Sequence, residues 1–258
     1  MPAPTPWPVL QEAARLREAG STDAEVAQQL GICVNTIRRW RRRIRREELT
    51  SAPGRTGSAP CPRCEGGALD ESAYAHLLGW YLGDGHIALA RGTSRLLAIY
   101  NDDRYPALNE EVEASIRAVK PGTSVWRRRL KGCSAISASW HHWPCVFPQH
   151  GEGRKHDRPI VLEPWQQEIV DEHPGRLLRG LFHSDGCRVQ NWAVGANGQR
   201  YEGYPRYLFS NASTDIIGIC CAALDRLGAA HTHPRRDVVS VARRASVALL
   251  DEHVGPKS

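Results

Sequence analysis

Hydrophobic spacing divides the chain into two regimes. Over 9–19, Leu10, Ala13, Ala14 and Leu16 recur at helical intervals, and Gly20 stops the run as a left-handed cap would. Ser21, Thr22 and Asp23 offer N-caps for a second short helix over 24–30, which Gly31 breaks. A third helix begins near Asn35, with Ile37, Trp40 and Ile44 on one face and arginines elsewhere. Residues 1–8 are Pro-rich and are expected to be disordered. The Ser, Ala, Pro and Gly of 50–60 predict a linker, extended to 50–69 so that it includes Cys61 and Cys64.

From Asp70 onward the pattern becomes periodic and repeats. Leu77-Leu78-Gly79-Trp80-Tyr81-Leu82-Gly83-Asp84-Gly85 matches Leu178-Arg179-Gly180-Leu181-Phe182-His183-Ser184-Asp185-Gly186 position for position. The first copy is followed by strand-like runs over 86–90 and 96–100, a helix over 106–119 and strands over 125–130 and 135–140. The second is followed by strands over 187–194 and 207–210, a helix over 214–227, a strand over 237–242 and a weaker one over 245–250. Each unit reads α-β-β-α-β-β, and duplication of one unit is the economical explanation. The expected fold is α+β: two pseudo-symmetric αββαββ halves, about 70–165 and 171–258, in one domain over 70–258. An all-α domain over 1–49 precedes them.

Composition sharpens this little. A chain of 258 residues, 41% apolar, can hold a medium domain and a small one. The net charge of +6 and pI near 9.0 favour an anionic partner. The distribution says more, because the densest basic stretch, 38–46, is interrupted only by Trp40 and Ile44. The eight cysteines are irregularly spaced, and neither a secretory pattern nor a membrane-spanning apolar run is present. A cytoplasmic protein with reduced, mostly inert thiols is expected, nucleoid-associated if prokaryotic, without a membrane role. Cys61-Pro62-Arg63-Cys64 resembles half of a zinc knuckle. No second such pair follows, so Cys133, His141, His142 and Cys145 could complete a structural Zn2+ site only if the fold brings them near.

The N-terminal segment joins two short helices through Gly31-Ile32-Cys33, and Val26, Leu30, Ile32, Ile37 and Trp40 can pack them together. Asn35, Thr36, Arg38 and Arg39 stand at the start of the next helix, where base edges would be met, and Arg42 lies where phosphates would be. This segment resembles the helix-turn-helix of transposases, recombinases and many bacterial regulators. The bland alternative is a helical hairpin with a solvated basic face.

In the repeated nonapeptides, Gly79 and Gly83, like Gly180 and Ser184, lie one turn apart, so two helices can approach backbone to backbone. The last glycine is expected to allow a positive φ on leaving the helix. An aspartate there faces the negative end of the helix dipole. Two brought together repel unless a divalent cation sits between them. Carboxylates and helix-end carbonyls are hard donors suited to Mg2+ or Mn2+. Such a centre suits phosphodiester hydrolysis. Two helix-capping Asp-Gly turns are the structural alternative.

Both nonapeptides resemble the LAGLIDADG signature of homing endonucleases, and the repeated units resemble that family's two halves, over most of the chain. The resemblance implies motif helices at the central interface, sheets saddling the major groove of double-stranded DNA, and Asp84 and Asp185 as the catalytic, metal-binding pair. Carbonyls of Gly83 and Ser184 are possible further ligands. It also implies a basic residue near the metals, for which Lys131 and Lys155 are candidates.

Arg127, Arg129 and Lys131 share one strand face if the run stays extended, with Arg235, Arg236, Arg243 and Arg244 as counterparts. Arg127, Arg129, Arg235 and Arg243 are the DNA contacts expected from these runs, against a solvated sheet face as the plain reading. Sequence-specific, Mg2+-dependent cleavage of DNA by a monomer is therefore expected. The rival is a non-cleaving helix-turn-helix regulator that keeps the fold. Intein-like ends are absent at Met1-Pro2 and Lys257-Ser258, so self-splicing is not expected.

Overall fold

The computed structural model describes residues 7–38, 59–90, 94–194 and 196–257. The chain divides into two compact units, Met1–Gly57 and Ser58–Ser258. The first holds α1 (Trp7–Glu18), α2 (Asp23–Leu30) and a helix over 34–38, α3, at the edge of the described residues. A capping box starts α2: Glu25 N–H donates to Thr22 Oγ1, and Thr22 N–H donates back to the Glu25 carboxylate at 2.6 Å. Gly31, at φ 63°, ends it. Ala13, Val26, Ala27 and Ile37 form the small core, with Leu16, Leu30, Ile32 and Val34 against it. Trp7 and Pro8 are helical rather than disordered. The expectations for residues 1–6, Arg39, Trp40, Arg42, Ile44 and most of the linker lie outside the described residues.

The second unit runs α4 (Glu71–Leu82), β1 (Gly85–Leu89), β2 (Arg95–Asp102), α5 (Pro106–Val119), β3 (Val125–Arg129), β4 (Cys133–Ser139) and the short α6 (Trp143–Val146). A single 3-10 turn at Lys155–Asp157 and α7 (Pro164–Glu172) lead into the second copy. That copy comprises α8 (Pro174–Asp185), β5 (Gly186–Val194), β6 (Arg200–Ser210), α9 (Thr214–Leu227), β7 (Thr232–Arg235), β8 (Val238–Val241) and α10 (Arg244–His253). The two four-stranded antiparallel sheets have the same order, β1-β2-β4-β3 and β5-β6-β8-β7. Identical order in both copies is what duplication requires.

The run 245–250, expected as a weak strand, is part of α10. Its apolar residues Val247 and Leu250, three apart, are buried, as is Val254 just after the helix, and the missing strand is β7. The 61–64 turn is not free linker either: Cys61 is fully buried in the main core. α4 is buried on every side from Ala73 to Leu82, as a helix apolar all round must be. It lies against α8, and a Cβ added to Gly180 would sit 2.3 Å from His76 O and 2.9 Å from Gly79 Cα.

Register fixes which sheet face meets the helices. Leu97, Ile99, Ile136 and Ala138 pair across β2 and β4 and join the core, so their partners Val125 and Arg127 point the same way. Accordingly Arg127 donates to Glu113 on α5. The opposite face carries Ala98, Ala135 and Ser137 at its centre, with Trp126 and Arg128 at its edge. In the second sheet Tyr207, Phe209, Val239 and Val241 face the helices, and Arg206, Leu208, Val238, Ser240 and Arg235 share the open face.

Candidate metal centre and nucleic-acid surface

The two motif helices end together. α4 stops at Leu82, leaving Asp84 in the turn before β1, while Asp185 is the last residue of α8. A Cβ on Gly83 would lie 2.0 Å from Ser184 Oγ and 3.0 Å from Asp185 Oδ2, so only glycine lets these ends meet. Neither Gly85 nor Gly186 has a positive φ, contrary to expectation. They are needed for room instead: a Cβ on Gly85 would meet Tyr81 Cα at 2.4 Å, and one on Gly186 would meet Phe182 Cδ1 at 2.6 Å. Each copy folds back onto its own last helical turn.

Burial raises both carboxyls. Asp84 is pushed up to about 6 by desolvation and then by the charge of Asp185. Asp185 is also raised by burial, against a 2.7 Å hydrogen bond donated by Asn211 Nδ2 to Oδ2. Two ammonium groups answer this negative charge. Lys155 Nζ donates to the carbonyls of Tyr81, Gly83 (2.8 Å) and Gly85 (2.7 Å), covering the negative end of α4. Burial depresses Lys155 to about 8, opposed by Asp185 and Asp84. Lys257, beyond α10, is likewise lowered by burial and held charged chiefly by Asp84.

Lys155 therefore lies within the field of both carboxylates while its hydrogen bonds go to backbone carbonyls. Lys131 stays exposed in the β3–β4 turn, away from the cleft. Lys257 had no sequence signal beyond its place after the second copy, which parallels that of Lys155 after the first.

A cleft of about 460 Å³ opens against Asp185, lined also by Gly83, Asn211 and Lys155 and by cationic or titratable His86, His150, Arg154 and Arg158. The donor set is all hard oxygen. Asp185 Oδ2 is committed to Asn211, and the Gly83 carbonyl already accepts from Lys155. Two half-buried carboxylates near one another fit a divalent cation of the Mg2+ class. Ser184 Oγ donates to Leu181 O at 2.9 Å, leaving the Ser184 carbonyl as the remaining expected donor.

The expected strand arginines separate. Arg127 is consumed by Glu113, and Arg129 has the same parity at an exposed strand end. Arg235 lies exposed on the open face. Arg243 caps α10 and is on no strand, because the run it begins is helical. Alternation missed Arg128 and Arg206, which do lie on open faces; Arg206 Nε is buried without a hydrogen-bond partner. In the first unit, Ile37 turns into the core while Asn35 and Arg38 are exposed and Thr36 is half-buried. Residues three apart share a helix face, so Asn35 and Arg38 present one polar surface.

A family model for a homeodomain-like domain matches residues 10–53. Among solved structures, the chain is similar to the LAGLIDADG meganuclease I-AabMI bound to uncleaved DNA (12% identity, 70% of this chain and 83% of that one, TM-score 0.44). It is also similar to I-DmoI in complex with DNA and Ca (12%, 73% and 94%, TM-score 0.42). A third is the N-terminal LAGLIDADG domain of WhiA (13%, 73% and 83%, TM-score 0.42). These structural neighbours are LAGLIDADG proteins. No curated protein matches the chain in sequence. The duplicated sheet order and paired motif helices of this chain define its architecture independently of those overlaps.

Proposed function

We propose that the protein binds double-stranded DNA and hydrolyses its phosphodiester bonds at Asp84 and Asp185 with Mg2+ or Mn2+. The carrying observation is the meeting of two half-buried, raised carboxylates at the ends of closely packed helices, with a cationic cleft against Asp185. A bound divalent cation would supply Lewis acidity at the scissile phosphate. Asp84 and Asp185 would hold it, and Asn211 orients the Asp185 carboxylate. Lys155 and Lys257 would balance the charge that develops on the phosphate oxygens. The open faces of the two sheets offer Arg128, Arg206 and Arg235 to the duplex, and the N-terminal unit adds Asn35, Thr36 and Arg38 for target choice. Arg39 and Arg42 extend that set in sequence. Both halves lie in one chain, so a monomer supplies the whole centre. Among the described residues no helix is long and apolar enough to cross a membrane.

One observation favours a second reading, a non-cleaving regulator. Lys155 and Lys257 together carry as much charge as the two aspartates, and Lys155 occupies the Gly83 carbonyl, so the pair can be balanced without metal. Nicking and linearisation of a randomised-target DNA library with Mg2+ or Mn2+, beside an Asp84→Asn, Asp185→Asn variant, separates the two. Metal-dependent cleavage lost in the variant is expected. Equal binding by both proteins, with no cleavage by either, would establish the regulator.

A further inference from the structure

We propose that Cys61, Cys64, His142 and Cys145 hold one structural zinc ion, which fastens the entry of α4 to the segment after β4. The candidate ligand atoms of these four residues all lie within 4.8 Å of one another. Cys64 Sγ is 3.2 Å and Cys145 Sγ 3.5 Å from His142 Nδ1. With Zn–S of about 2.3 Å and Zn–N of about 2.0 Å, a tetrahedron puts sulfur and nitrogen ligands roughly 3.5 Å apart. The two sulfur–nitrogen separations at His142 are thus within a few tenths of an ångström of those of a zinc shell, and the remaining ligand atoms lie within 4.8 Å.

The chemistry selects the ion. Three thiolates and an imidazole are a soft set, suited to zinc and unlike the all-oxygen set at Asp84 and Asp185. Four protein ligands leave no open position, which marks a structural rather than a catalytic site. A dipositive ion favours the thiolate forms of the three cysteines.

The surroundings are also arranged for it. Glu65 takes the Cys61 N–H at 2.6 Å with one carboxylate oxygen, and its other oxygen lies 3.4 Å from His142 Nε2. One carboxylate so fixes the cysteine turn and stands behind the His142 ring, whose buried Nε2 has no hydrogen-bond partner, in the place that outer partners of metal-bound histidines take. Gly67 closes that turn, since a Cβ there would fall 2.0 Å from Pro60 O. Neither Cys133, on β4, nor His141 belongs to the cluster, although sequence spacing admitted both. A second group, Cys221 with His231 and His233, offers only three ligands.

The test uses the full chain, purified without chelator and dialysed exhaustively. Elemental analysis is expected to find zinc that a Cys64→Ser, Cys145→Ser variant lacks and a Cys221→Ser variant keeps. Cobalt substitution of the wild type should give the intense visible bands and sulfur-to-metal charge transfer of a tetrahedral thiolate site, with no mutation needed. A strong chelator should lower the Tm of the wild type and leave that of the double variant unchanged. Absence of zinc after dialysis, or octahedral cobalt bands, would overturn the proposal. So would full zinc retention by the double variant.

Discussion

At the scale of the residue, the weight of the site falls on Asp84. Its carboxyl titrates near 6 in the fold against an ordinary 3.8, so between about pH 4 and pH 6 the folded chain binds more protons than the unfolded one. Stability therefore falls as pH rises through that window, and the cost is complete above it. The shift corresponds to roughly 3 kcal/mol at neutral pH. In metal-free protein at pH 7.5, Asp84→Asn should raise the Tm by roughly 6–12 °C, with the gain disappearing below pH 4. Mg2+ should then stabilise the wild type and not the variant. Thermal melts with chelator and with Mg2+ measure both, and a metal-free variant less stable than the wild type would show that pairing with Lys155 and Lys257 outweighs burial. Asp84 and Asp185 were legible because they recur in register within a repeated nonapeptide. Lys257 was not, because a lysine beyond a helix carries no pattern and acquires its meaning from a charge brought near by folding.

At the scale of the element, the centre depends on how closely α4 and α8 approach. Gly180→Ala places a methyl 2.3 Å from the backbone oxygen of His76, which no side-chain rotation relieves. The helices must separate, at a cost of about 1–3 kcal/mol. Urea denaturation should show that loss, and because both aspartates stand at the ends of these helices, Mg2+ stabilisation should weaken with it. Unchanged stability would mean the helices slide at no cost. Helices α5 and α9 were readable to the residue, since Pro106 and Thr214 mark their starts and their apolar spacing is regular. The run 245–250 was misread because six mostly apolar residues suit a strand or a buried helix equally, and only packing of Val247 and Leu250 decides. The 61–64 turn read as linker because the histidine it meets is 78 residues from Cys64. No local pattern reports a contact at that separation.

At the scale of the whole molecule, the two sheets decide where a duplex can lie. Strand alternation said correctly that Arg127 and Arg129 share a face, but not which face. Only the place of Ile136 and Ala138 in the main hydrophobic core, with Arg127 bonded to Glu113 of α5, shows that theirs is the inner one. Under the proposed function Arg128 is then the β3 residue that would face the duplex, whereas Arg127 pairs with Glu113. The two adjacent arginines should separate in a salt titration of DNA binding. Removing one cation from a phosphate lowers the slope of log K against log salt by about 0.9. Arg128→Ala should therefore flatten the slope by about that amount and leave the Tm unchanged. Arg127→Ala should leave the slope unchanged and cost at most about 1 kcal/mol of stability, because the ion pair is partly exposed. Arg235→Ala, on the open face of the other sheet, should repeat the Arg128 result if the duplex spans both halves. The reverse assignment, with Arg127 flattening the slope and Arg128 silent, would place DNA elsewhere than on the open faces. It would also remove the ground for bringing a scissile phosphate to Asp84 and Asp185.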